Sequence, residues 1–154
     1  MSVENPTGPA SPATPRLRGH HFICLQFFRG EGYSSGFVDN LTAVIERATS
    51  KRAVLVDRAD DVCLACPGLG ADGTCSDPNA GELEVRRLDR LAGEILGVEP
   101  GFHLSLTDAR ALLAADAIGA GCWRFEACAG CSWEHVCEKG WVALLGEEEA
   151  AARA

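Results

Sequence analysis

The chain has 154 residues and 47% of them are hydrophobic, which predicts one globular domain with one modest core. Its 22 acidic residues against 14 Lys and Arg give a formal net charge of -8, and this excess argues against a nucleic-acid partner because phosphates would be repelled. We find no signal peptide and no apolar run of about 18 residues, so we expect a cytoplasmic protein without a membrane partner.

The two ends of the chain differ in composition from the middle. Residues 1–15 combine four prolines with small polar residues, and too few apolar groups are present to offset the entropy of ordering them. We expect a disordered tail over 1–15, a single domain over 16–146 and a polar tail over 147–154.

Hydrophobic periodicity predicts a mainly α fold with at most one or two short strands. A first helix from His20 to Arg29 is apolar almost all round, which is typical of a buried helix. The others are expected over 35–49, over 82–96, and from a Thr107 cap to the glycines at 119 and 121. Residues 53–56 are the candidate strand.

Residues 57–80 carry loop composition and three of the cysteines. An irregular segment of that length is unusual in a compact domain unless something organises it, and a bound metal would do so. We therefore predict a domain organised around two cysteine-rich metal-site loops.

Eight cysteines are present, and in a reducing cytoplasm such spacing favours metal binding over disulfides. The cysteine group that comes later in the chain, called the second cysteine group, is complete within sixteen residues. It has the form C-x5-C-x2-C-x5-C, in which four thiolates can close a tetrahedral shell. This group consists of Cys122, Cys128, Cys131 and Cys137.

The group that comes earlier in the chain, called the first cysteine group, has only three cysteines, Cys63, Cys66 and Cys75. Counting leaves Cys24 as the fourth ligand, although nothing in the spacing brings it to that loop. A buried apolar thiol is the alternative for Cys24.

His20 and His21 precede Cys24 by four and three residues, so on a helix the three side chains lie close to one face. Each histidine is a possible ligand or an outer hydrogen-bond partner of the metal site, and a structural role is equally open. His135, inside the second group, is a possible outer partner. We expect a structural role for His103.

Four thiolates suit zinc as well as iron. Each group has only one C-x2-C, whereas zinc folds usually pair two, and aromatic residues crowd the second group. The pattern therefore favours one or two iron-sulfur clusters, of the 4Fe-4S type, with zinc as the alternative. The aromatic residues are Trp123, Phe125, Trp133 and Trp141.

Several motifs, in this order, resemble the bacterial and archaeal family called domain of unknown function 1284. They are Arg18-Gly19-His20-His21 with Cys24, Gly30 and Gly32-Tyr33-Ser34, the C-x2-C-P of Cys63 to Pro67, and the C-x2-C-x-W of Cys128 to Trp133. The resemblance implies a small metal-binding protein, with iron-sulfur as the expected cofactor, and implies no reaction. Cys128, Cys131 and Cys137 also resemble the cluster-holding element of auxiliary domains of radical enzymes.

We predict from these features an iron-sulfur protein that acts as a small electron carrier, steered by its acidic surface to a redox protein partner. One alternative is a metal-dependent enzyme or sensor, in which the first site has an open or histidine-occupied position. Another is a zinc-stabilised interaction module. Catalytic residues cannot be assigned from the sequence.

Overall fold

A computed structural model describes residues 14–32, 34–76, 81–129, 131 and 133–146. Within these residues the protein is a mainly α single domain, as predicted, with a small three-stranded sheet. The predicted tails lie outside the described residues except for Thr14 and Pro15. The helices are α1 (Gly19–Cys24), α2 (Ser35–Ser50), α3 (Gly81–Leu96), α4 (Leu106–Ala114), α5 (Ala117–Trp123) and α6 (Glu134–Leu145).

The predicted strand over 53–56 is confirmed as β2 (Ala53–Val56), the central strand of the sheet. β1 (Arg16–Arg18) pairs with it in parallel, and β3 (His103–Leu104) pairs with it antiparallel. All four residues of β2 are buried, as expected for a short apolar run covered on both faces. The parallel pairing leaves Leu17 and Arg18, just before α1, buried.

α1 is shorter than predicted, because it ends at Cys24 and continues as a 3-10 turn over Leu25–Phe27. Its first residue packs directly against the backbone of α3. A Cβ added to Gly19 would lie 2.6 Å from the carbonyl oxygen of Asp89, so only glycine permits this approach. The two helices are thereby held close together.

The helix predicted from Thr107 is two helices, and its cap is Ser105. The Ser105 hydroxyl accepts a hydrogen bond from Asp108 N, and the Asp108 carboxylate accepts one from Ser105 N. This capping box starts α4 one residue before Thr107. Asp116 then caps α5, which runs through the glycines that were predicted to stop it.

The core lies between the sheet and the helices, and its largest side chains are Trp123 at the end of α5 and Trp141 in α6. The Trp141 and Phe27 rings are 4.3 Å apart between centroids. A π-helical turn over Arg124–Cys128 follows α5 and leads into the second cysteine group. Among the described residues, no helix combines the length and apolarity required to span a membrane.

Candidate metal centre and histidine pair

A network of charged side chains is buried beneath the start of α1. The Arg18 side chain is only 1% exposed. Its Nε lies 2.8 Å from Asp89 Oδ2, and its Nη2 lies 2.8 Å from Glu82 Oε2. The hydrogen bond from Arg18 lowers the pKa of Glu82 to about 2, so the Arg18 charge is balanced by two carboxylates of α3.

Each histidine of α1 is bound to a different carboxylate through the same ring nitrogen. His20 Nδ1 lies 2.6 Å from Asp89 Oδ1, and His21 Nδ1 lies 2.5 Å from Asp60 Oδ2. The centroids of the two imidazole rings are 4.0 Å apart. The two histidines therefore form a pair of neighbouring, carboxylate-bound rings.

Asp60 is completely buried and is held by backbone donors as well as by His21. It accepts hydrogen bonds from the N–H groups of Arg18, Val62 and Cys63, at 2.7, 2.9 and 3.1 Å. Burial alone would raise the pKa of Asp60, but the charge and hydrogen bond of His21 and these N–H groups hold it well below its usual range. Asp60 is therefore a fixed anion.

Burial and hydrogen bonding also act in opposite directions on the pKa values of Asp89 and His20. Burial would raise the pKa of Asp89, but its hydrogen bonds with His20 and Arg18 lower it. Burial and the neighbouring His21 lower the pKa of His20, which favours the neutral imidazole. A neutral ring that donates from Nδ1 to a carboxylate carries its lone pair on Nε2.

Both Nε2 atoms are available for binding. The side chains of His20 and His21 are 15% and 14% exposed, and in the described part of the chain neither Nε2 has a hydrogen-bond partner. These atoms can accept a proton or ligate a metal ion. The carboxylates that orient them were not identified from the sequence, because Asp60 is 39 positions from His21 and Asp89 is 69 from His20.

Cys24, which counting assigned to the first cysteine group, lies near the second one. The side chain of Cys24 reaches the surface, yet the surrounding protein and the charges of Cys128, Cys131 and Cys137 raise its pKa. Burial, Cys137 and Cys131 likewise raise the pKa of Cys128 to about 12. Cys24 therefore lies near three thiols of the second group. Cys122, the fourth predicted member of that group, is an exposed thiol in α5.

Two N–H groups point toward this thiol group. Trp133 N donates to Cys131 Sγ at 3.5 Å. The indole N–H of Trp141 is close enough to Cys128 to lower the pKa of that thiol, but its geometry does not make a hydrogen bond, so Trp141 Nε1 is a buried donor without a partner. An orphaned buried donor beside a thiol fits an anionic thiolate at Cys128.

The first cysteine loop is organised by its own hydrogen bonds. Cys66 N donates to the Cys63 carbonyl at 3.0 Å, and Gly68 N donates to Cys66 Sγ at 3.3 Å. Leu69 forms an antiparallel bridge with Cys75, whose N–H donates to Glu82 at 2.9 Å. The loop is thus tied at one end to the partly buried carboxylate of Glu82.

At its other end the same loop contacts Asp60. Burial and then the Asp60 charge raise the pKa of the Cys63 thiol to about 12. Asp60 therefore touches both His21 and the first cysteine of the loop. Asp60 thus links His21 to Cys63 of the first cysteine loop, and the charge of Asp89, which holds His20, contributes to the raised pKa of Cys24.

The other two histidines lie apart from this pair. His135 is an exposed residue of α6, and His103 is in β3 with a buried Nε2 that no described residue pairs. All eight cysteines are free thiols. Within the described ranges, no three His, Cys, Asp or Glu side chains are arranged closely enough to hold a metal ion, so the ligand sets predicted from the sequence stay predictions.

The donor types still fit a thiolate-bound metal or cluster, because the charges of three thiols raise the pKa of Cys24 and an orphaned N–H donor lies near Cys128. The comparison with curated proteins and the comparison with solved structures returned no match. The model of the family described as protein of unknown function DUF1284 matches residues 32–137, which include the first loop and the second cysteine group. The chain belongs to the DUF1284 family.

Proposed function

We propose that the protein binds an iron-sulfur cluster and acts as a small electron carrier. The ligands in this proposal are the thiolates of Cys24, Cys128, Cys131 and Cys137. The observation that carries it is that the charges of Cys128, Cys131 and Cys137 raise the pKa of Cys24, which indicates that the end of α1 lies near the second cysteine group. Four thiolates are the usual shell of a 4Fe-4S cluster.

The surroundings of this group support an anionic, redox-active centre. The N–H of Trp133 donates a hydrogen bond to Cys131 Sγ, and the unpaired indole N–H of Trp141 could donate one to a cluster sulfur; such hydrogen bonds are among the factors that set a cluster's reduction potential. When bound, the cluster would accept and release single electrons. Cys24 and Cys131 are exposed, which suits exchange with a partner.

A second metal centre is proposed at Cys63, Cys66 and Cys75. With Cys24 assigned elsewhere, this loop supplies three thiolates and its fourth position is open to another donor. The N–H donated to Cys66 Sγ at 3.3 Å supports a thiolate there. Zinc is the alternative occupant, because three thiolates and one further ligand suit structural zinc. The acidic surface would steer a basic redox partner in the cytoplasm.

The test is anaerobic purification of the full chain, followed by analysis of iron, zinc and acid-labile sulfide and by visible spectroscopy with dithionite. We expect a brown protein whose absorbance bleaches on reduction. A colourless protein that contains zinc without sulfide would contradict the electron-carrier function and support the zinc-stabilised module.

The ligand set is tested by a matched pair of variants, Cys24→Ala and Cys122→Ala, which each remove one exposed thiol. Cys24→Ala is expected to lower iron and sulfide per chain, whereas Cys122→Ala keeps both. The reverse result would restore Cys122 to the second group and return Cys24 to the first.

A further inference from the structure

The buried charges around α1 are a costly way to fill this space, even though removing one of them alone would leave its partners unpaired. Desolvating Arg18 and Asp60, which are 1% and 0% exposed, costs several kcal/mol per ion, and buried ion pairs often fail to recover this cost. Networks of this kind are frequent where side chains must be oriented for chemistry. Here the atoms that the network orients, and leaves unpaired, are Nε2 of His20 and Nε2 of His21.

We propose that these two Nε2 atoms bind one divalent transition-metal ion, such as Zn²⁺ or Co²⁺, at a site distinct from the thiols. Histidines that ligate metals almost always donate their other ring N–H to a carboxylate or carbonyl, which fixes the tautomer and the ring orientation. His20 and His21 both have this arrangement, with Asp89 at 2.6 Å and Asp60 at 2.5 Å.

The charge of the network favours a cation. Asp60, Asp89 and Glu82 supply three carboxylates around the pair, whereas Arg18 is the one guanidinium that contacts them from β1; Arg86 reaches Glu82 from the solvent side. When both imidazoles are neutral, these three carboxylates outnumber the two guanidiniums, and a divalent ion would balance the remaining negative charge in place of a proton on His21. The lowered pKa of His20 is consistent with a neutral ligand.

The two rings are neighbours that solvent can reach. The centroids are 4.0 Å apart, and both side chains are partly exposed, so an ion can enter from solvent. Two imidazoles leave coordination positions for water or for the oxygen of a substrate. An ion held in this way can act as a Lewis acid, which a closed four-thiolate site cannot do.

The experiment is a Co²⁺ titration of the full-length protein, with its thiol centres as isolated, followed by proton NMR in water. Each Nδ1–H of a cobalt-bound imidazole gives an exchangeable, strongly shifted resonance. We expect two such resonances at one equivalent of cobalt. Cobalt binding without any exchangeable shifted resonance would overturn the proposal.

Variants identify the ligands. His20→Gln and His21→Gln should each abolish tight cobalt binding, whereas His135→Gln, at an exposed histidine of α6, should leave it unchanged. Asp89→Asn should weaken cobalt binding by about 10- to 100-fold, the usual effect of removing the carboxylate behind a ligating histidine. Unchanged affinity in both His20→Gln and His21→Gln would refute the site.

Folding of each variant is checked by circular dichroism. If a histidine variant does not fold, nitrogen-15 NMR of the wild-type side chains decides: added Zn²⁺ should shift the Nε2 resonances of both rings, and unshifted resonances would exclude binding. The thiol function is read separately, because cobalt on thiolates absorbs strongly in the near ultraviolet. Such a band would show that the thiols were not occupied by a metal or cluster as isolated. It would contradict the proposed thiol centre without contradicting the histidine site.

Discussion

Arg18 Nε lies 2.8 Å from Asp89 Oδ2, and the other oxygen of the same carboxylate holds His20 at 2.6 Å. One carboxylate of α3 thus joins the last residue of β1 to the histidine pair. The connection spans 71 positions of sequence, so it exists only when the sheet and both helices are assembled.

Replacement of Arg18 by Met should strongly destabilise the fold. The change keeps an apolar stem but leaves Glu82 and Asp89 without their buried counter-charge, and breaking a buried pair in this way costs about 3 to 5 kcal/mol. Urea denaturation would measure the loss in the free energy of unfolding. Arg90→Met, at an exposed position of α3, is the control and should change it by less than about 0.5 kcal/mol. Equal effects of the two variants would contradict the prediction.

Gly19→Ala should destabilise the protein by about 1 to 3 kcal/mol, because the new methyl group meets the backbone of Asp89 and the helices must separate. Gly36→Ala is a matched control within the first turn of α2, where an added Cβ meets nothing within 4 Å. That change should be neutral or stabilising by up to about 1 kcal/mol, since alanine favours helix. Thermal unfolding of both variants measures the difference in stability. An unchanged Tm for Gly19→Ala would contradict the prediction and show that the two helices separate at little cost.

Trp141→Phe should lower the reduction potential of the proposed cluster. The change removes the indole N–H beside Cys128, and hydrogen bonds to cluster sulfurs favour the more negative, reduced state. Spectroelectrochemistry of the loaded protein measures the shift. Trp123→Phe, at another buried tryptophan, is the control and should leave the potential in place. An unchanged reduction potential in Trp141→Phe would contradict the prediction, because it would show that the indole N–H does not donate to a cluster sulfur.

Ser105→Ala should cost about 1 kcal/mol, because the capping box of α4 loses its hydroxyl acceptor. Ser50→Ala is the comparison, since its exposed hydroxyl only donates to a carbonyl at the end of α2. We expect a change of less than about 0.5 kcal/mol there. If denaturant midpoints moved equally for both serines, the cap would have no special role.

Local sequence signals located most of the helices and the central strand. α2 and α3 begin and end within one residue of the predicted bounds, because apolar spacing, the Ser34 cap and Gly97 act through neighbours in the chain. The same reasoning missed the break between α4 and α5. Asp116 caps a new helix there, and this cap overrides the glycines that follow it.

The strands β1 and β3 were not predicted, since each has two or three residues and forms only by pairing with β2. Periodicity cannot identify an element that short. The pairing of β1 with β2 is nevertheless what fixes Arg18 in its buried position at the start of α1.

By itself, the sequence determined the mainly α class and singled out the cysteines and the histidine pair, because residue type and spacing are local properties. Only the tertiary structure decided which groups lie together: Asp60 is hydrogen-bonded to His21, Asp89 is hydrogen-bonded to His20, and Cys24 lies near Cys128. These contacts join positions 39 or more residues apart. They depend on the packing of α1 against α3 and on the pairing of β1 with β2, which no spacing along the chain encodes.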